Sequence, residues 1–189
     1  RFTLYDGRVN WVGTRFDAAS NYAEVPRLDI RLIGSTYRAD TVRFHTDLLA
    51  DPLAGSLRVK LQAGKDSSNK AYPRFESFTK HLVLKDVETD VDFYGGIAVK
   101  GSKLSGTGTV GLPARIEMFR KDTLFVEAEA IEFLFTTQGF AAAHANLVMH
   151  VGEDSIRHPD LNMRFDRSKR RVAFTRSEDG VGLQPFTDS

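Results

Sequence analysis

Cysteine is absent from this chain of 189 residues. That excludes disulfide staples, thiolate zinc sites and a cysteine nucleophile together, while leaving the compartment open. A chain of this length buries roughly 70% of its unfolded surface, so its core needs no covalent staple. An excess of either charge is also missing: 26 basic side chains face 25 acidic ones, for a net charge of +1. The signs are interspersed, so no long-range field for nucleic acid arises. The short basic run Arg167-Ser168-Lys169-Arg170-Arg171 lies between two apolar segments and reads as a solvated hairpin turn. No apolar run approaches the roughly 18 residues of a membrane-spanning helix. The first residues, Arg1-Phe2-Thr3-Leu4, carry no initiator Met and no apolar signal region, as expected of a segment of something longer.

Helical periodicity is scarce as well. Asp17 to Pro26 has some helical promise, but Ser20-Asn21 interrupts it and Pro26 closes it, which predicts a loop with at most one turn. With 14 Phe and 5 Tyr in the chain, the composition favours strands. Phe2 to Tyr5 runs into Asp6-Gly7, a strong hairpin signal, and on to Arg8–Gly13. From Arg27, Leu28, Ile30 and Leu32 alternate with Asp29 and Arg31 until Gly34-Ser35 ends the run. A bulge is expected near Asp40-Thr41, where the apolar phase switches. Leu57, Val59 and Leu61 form another half-buried strand. The polar stretch from Gly64 to Pro73 is the best candidate divide between two similar halves of a single elongated domain covering residues 1–189. Beyond it, glycines at 95, 96, 101, 106, 108 and 111 punctuate short strands. Phe125, Val126, Ile131, Phe133 and Phe135 outweigh the helical propensity of Glu127, Glu129 and Glu132 and predict strand.

Three segments share a pattern of small residue, spacer, aliphatic, spacer, and aromatic or Met, followed by a corner and a strand. They are Ala39–Leu61, Ala128–Ala143 and Ala143–Phe165, the last with a corner expected at His158-Pro159. Such a unit cannot bury its own apolar face, whereas stacked copies bury a continuous one. The fold expected is all-β, a solenoid-like stack of short strands, with an antiparallel β-sandwich as the alternative.

No catalytic or cofactor motif emerges: HExxH, Walker and Gly-x-Ser-x-Gly patterns are all missing. His144 and His150 fall on one parity of a strand, with Asp154 and His158 beyond the corner, a conceivable metal or acid–base cluster. Asp86, Glu88, Asp90 and Asp92 alternate with Val87, Val91 and Phe93, which would place their carboxylates on one strand face. The candidate surface is therefore His144, His150, Asp154, His158, Asp90 and Asp92. No cofactor or metal is assigned to it, because solvated strand faces account for the same spacing.

Tyr5–Trp11, Tyr72–Phe78, Asp90–Lys103 and Asp154–Leu161 together resemble very large, poorly characterised proteins of Bacteroidetes bacteria. In that group such segments sit in a long repetitive chain that is exported. The resemblance runs from near Tyr5 to Phe186 and implies an extracytoplasmic location, periplasm or cell surface. It also implies partnership with neighbouring segments of a parent chain or with another envelope protein; it implies no catalytic residues. The expected role is a non-enzymatic structural or interaction segment. A polysaccharide-active alternative requires Asp90, Asp92 or His158 to converge with Lys100 or Arg157, and a sugar-binding alternative requires Trp11, Tyr72 and Tyr94 on one exposed platform.

Overall fold

The computed structural model describes residues 2–11, 19–30, 36–46, 49, 51–60 and 72–177. The Gly34-Ser35 break and most of the polar stretch from Gly64 fall outside them. The described residues form fourteen antiparallel strands hydrogen-bonded in one large sheet. The all-β expectation holds. By internal packing the chain divides into two compact units, Arg1–Leu82 with Gly96–Ser105, and Val83–Gly95 with Gly106–Ser189.

The first unit is a meander of β1 (Phe2–Asn10), β2 (Tyr22–Ile30), β3 (Thr36–His45), β4 (Leu53–Lys60) and β5 (Arg74–Ser77), continued by the second half of β7 (Val91–Lys100). Alternation puts Ala23, Val25, Val42, Phe44, Leu57, Phe75 and Val99 in its core. Phe44 is at the centre, stacked on Phe75 at 4.5 Å and edge-on to Trp11 at 5.1 Å. Trp11 is 1% exposed and donates its Nε1 hydrogen to the Pro73 carbonyl at 3.3 Å.

Two expectations fail here for one physical reason. Asp6-Gly7 is no hairpin turn, since β1 runs straight through it alongside β2, with Tyr5 opposite Arg27 and Gly7 opposite Val25. Asp6, with φ 54°, stands opposite Pro26 at an unpaired position of the β1–β2 ladder, with the register unbroken on either side. Left-handed backbone is what Asp tolerates, and here the strand absorbs it without turning. Pro26 does not close a loop either; it lies inside β2. The ladder to β3 is interrupted there, between Glu24↔Arg43 and Asp29↔Arg38, so its missing N–H costs no bond.

The second unit contains β6 (Leu82–Glu88), the first half of β7, the end of β8 (Lys103–Thr107), β9 (Ala114–Arg120), β10 (Thr123–Ala130) and β11 (Glu132–Thr136). It ends with β12 (Gly139–Val151), β13 (Asp154–Asp166) and β14 (Arg171–Arg176). β7 pairs with both β8 and β9, so the path β7–β8–β11–β12–β10–β9 returns on itself as a partial ring. Phenylalanines fill it. Phe93 meets Phe133 at 6.4 Å and Phe135 at 5.4 Å edge-on, and Phe140 stacks on Phe165 at 4.9 Å. Gly106 leaves room for Phe93, because a Cβ at 106 would overlap that ring.

The solenoid-like stack is not what the pairings describe, because the proposed copies pair antiparallel as long bulged strands. Ala39 faces Leu57 across β3 and β4, and the register slips between Ala39 and Val42, as the phase switch predicts. Ala145 faces Leu161 across β12 and β13, with slips on both sides of Ala145. In these two copies the small residue marks a bulge, while in the third Ala128 keeps regular register with Leu147 and Ile116. The corner at His158-Pro159 is likewise absent. β13 is continuous through it, and the chain reverses at Gly152-Glu153, where Gly152 has φ 65° and Val151 pairs with Asp154.

Candidate functional site

The predicted residues lie in the second unit, and the register decides which of them meet. His150 is opposite Ser155, and Leu147 is opposite His158. Directly paired residues share a face and successive residues alternate. His150 and Ser155 therefore face one side of the hairpin, and Asp154 and His158 face the other. His144 does not keep the parity of His150, because the bulge puts it at φ 54°. The four residues do not converge, and among the described residues no group of three His, Asp or Glu side chains is placed to hold a metal ion.

His144 makes a different cluster. Its Nδ1 is 2.6 Å from Asp160 Oδ1 and 3.1 Å from Ser177 Oγ, and Asp160 is itself a bulge residue with φ 55°. The Asp160 backbone N–H also donates to Asn146 Oδ1 at 3.4 Å. Ser, His and Asp side by side invite comparison with a hydrolase triad. In such a triad the carboxylate and the hydroxyl occupy opposite ring nitrogens, so that a proton can pass through the imidazole. Here both sit on Nδ1, and Ser177 is 5% exposed. The cluster pins two facing bulges and the end of β14 together.

The acidic segment does not present one face. It is a hairpin, turning at Thr89-Asp90, and Asp86 and Asp90 have φ 52° and 63°. Its carboxylates consequently go to separate partners. Glu88 binds Arg167, and Asp90 binds Arg170 at 2.9 Å. Asp92, 5% exposed, pairs with Lys85 Nζ and accepts the Asp86 backbone N–H at 3.1 Å. The basic run 167–171 spans a hairpin turn, as expected, but Arg167 and Arg170 are committed to the acidic turn.

Asp92 also begins a row that reading for motifs missed. Asp92, Glu117 and Glu127 stand directly opposite one another across β7, β9 and β10. Like charges in that relation repel. Lys85 relieves Asp92, while Arg115 lies 3.2 Å from Glu117 and 3.6 Å from Glu127. Tyr94 donates its hydroxyl to Glu117 Oε2 at 2.9 Å, beneath the Arg115 guanidinium at 4.5 Å. Burial, followed by the hydrogen bond to Glu117, pushes the Tyr94 phenol above its ordinary value. The hydrogen bond to Asp92, then the one to Tyr94, raises Lys85. Every charge in this row has a counter-charge, and the row locks strand register. Strand parity was the available signal, since Asp92 and Tyr94 share a face of β7; Lys85 and Arg115 required the pairing to be known.

Comparison with family models, with curated proteins and with solved structures gives no match. The site must be read from its own geometry. Among the described residues no helix is long and apolar enough to cross a membrane.

Proposed function

We propose that this chain is a non-enzymatic structural or interaction segment of a larger cell-envelope protein, and that it joins its partners through strand edges. The observation that carries this reading is a side of β13 that, among the described residues, no strand pairs. Residues 154–158 pair with β12 on one side, residues 154–160 are all exposed, and among the described residues β14 covers the other side only from Leu161 onward. An open edge is a template for another strand. Pro159 has no N–H to give and Asp160 bulges, so the usable run is Asp154–His158. Within it Ile156, 57% exposed, is the apolar anchor, and Asp154 and Arg157 supply charges that select the partner.

Partners of the matching kind are neighbouring segments of a parent chain or another envelope protein outside the cytoplasm. The glycan readings have less support. Trp11 is buried, which removes it from any sugar platform, and Asp90 and Asp92 are neutralised by Arg170 and Lys85.

A photo-cross-linking residue at position 156 of the full-length protein in its own cells tests the reading, with position 110 as control, since Val110 is 93% exposed in a bend outside β13. A discrete adduct from 156 alone, lost on Arg157→Glu, is expected. Equal labelling from both positions would contradict it.

A further inference from the structure

Beyond strand pairing, one face of β11–β14 has the build of a ligand site. A groove of about 760 Å³ lies across it, within the range of roughly 300–1,000 Å³ typical of small-molecule sites. Leu134, Ala141, Arg164 and Ala173 form one cross-strand row through its floor, and Ala143 and Thr175 extend it. The opposite face of the same strands carries buried Phe140, stacked on half-buried Phe165. The floor is therefore a layer of small side chains over a rigid aromatic base, and its shallow relief comes from alanine.

Two properties of this floor select an occupant. First, the main chain under its central row is already used: β12 from Gly139 to Ala141 is paired with β11 and β13, and β13 from Leu161 to Asp166 with β12 and β14. A peptide laid there would find no main-chain partner and would leave its own amides unsatisfied, whereas a hydrocarbon chain has no such groups. Second, the groove holds a cation with no ion pair among the described residues. Arg164 is exposed, and its stem can lie along the alanines while its guanidinium meets a carboxylate.

We infer that this groove binds a long-chain fatty acid, its alkyl chain on Leu134, Ala141, Ala143 and Ala173 and its carboxylate on Arg164. The ligand covers a face that strand pairing at β13 leaves free, so the two activities are separable.

The test is displacement of the fluorescent polyene cis-parinaric acid from the purified protein by laurate, dodecanol and dodecyltrimethylammonium. Laurate is expected to displace it best. Arg164→Gln should weaken laurate by roughly tenfold, the scale of a lost charge-assisted hydrogen bond, and leave dodecanol unchanged. Arg164→Lys should recover part of the loss. Ala173→Trp should block all three, with Ala143→Leu as a milder second filling and thermal melting to verify that each variant is folded. Failure of laurate to displace the probe, equal affinity for laurate and the cationic amphiphile, or unchanged binding in both folded filled variants would overturn the inference. Cross-linking from position 156 is unaffected by any of these results.

Discussion

Arg167 and Glu88 stand 79 positions apart in sequence, yet the Arg167 guanidinium grips the Glu88 carboxylate through Nε at 2.8 and 2.9 Å and through Nη2 at 2.5 Å. Nη1 of the same group donates to the Thr137 carbonyl at 3.0 Å. With Arg170 on Asp90, this joins the β13–β14 turn to the β6–β7 turn within the second unit. The bond to Glu88 holds the guanidinium protonated above its already high ordinary value.

The pair is asymmetric, which makes a prediction. The Glu88 side chain is 12% exposed and that of Arg167 52%. Arg167→Ala strands a mostly buried carboxylate, whereas Glu88→Gln leaves an arginine that solvent can reach. In urea unfolding Arg167→Ala should cost about 1–2 kcal/mol and Glu88→Gln less. A double-mutant cycle should give a coupling of about 0.5–1 kcal/mol, reduced by the exposure of Arg167. Equal single costs would show that the clasp is no more than a surface contact.

Core geometry makes a sharper one. A Cβ at Gly106 meets the Phe93 ring and approaches Phe135 at 3.0 Å, while a Cβ at Gly111 has no neighbour within 4 Å. Gly106→Ala should destabilise by about 1–3 kcal/mol, the range for overpacking, and Gly111→Ala should be close to neutral. Thermal melts of the two variants side by side read this directly.

Alkaline titration follows from Tyr94. Its folded pKa is raised, so its contribution to stability is fully present below the ordinary value of 10.0 and is lost as pH rises through the folded value. Lys85 is raised and has the same sign. Ultraviolet titration should show one tyrosine ionising late, and Glu117→Gln should bring that tyrosine back toward 10.0. Asp166 behaves oppositely. The Ser168 hydroxyl, then the Lys169 N–H, lowers it, so its contribution is present above 3.8 and is lost as pH falls through its lower folded value. Carboxyl NMR should find Asp166 titrating below 3.8, and Ser168→Ala should remove most of the difference.

The serine cluster predicts silence. With Asp160 and Ser177 both on His144 Nδ1 and Ser177 buried, a fluorophosphonate probe should leave Ser177 unlabelled, and Ser177→Ala should change no esterase background. Stoichiometric labelling of Ser177 would mean that the bulge rearranges into a working relay.

Strand content was legible because alternation and aromatic content survive any pairing: Val42 and Phe44, Leu57, and Phe133 all lie inside as their parity requires. What could not be read was the direction in which each left-handed residue bends the chain. Asp6 and His144 both adopt φ near 54°, and in neither case does the chain turn back. A one-residue bulge reverses parity downstream, which is why His144 and His150 looked like partners. The acidic hairpin was misread for the same reason, with Asp86 and Asp90 breaking the alternation that would have aligned four carboxylates. Long-range pairs such as Arg167–Glu88 leave no local trace at all.

The most direct measurement of the edge-docking account is amide hydrogen exchange at Ser155, Ile156, Arg157 and His158, compared between residues 1–189 alone and the larger protein that the account proposes. The account predicts fast exchange at those amides that point away from β12 in the segment, and strong slowing of the same amides in the parent. Equal, fast exchange in both would contradict it, because an edge that stays open in the whole protein is not where the segment joins its partners.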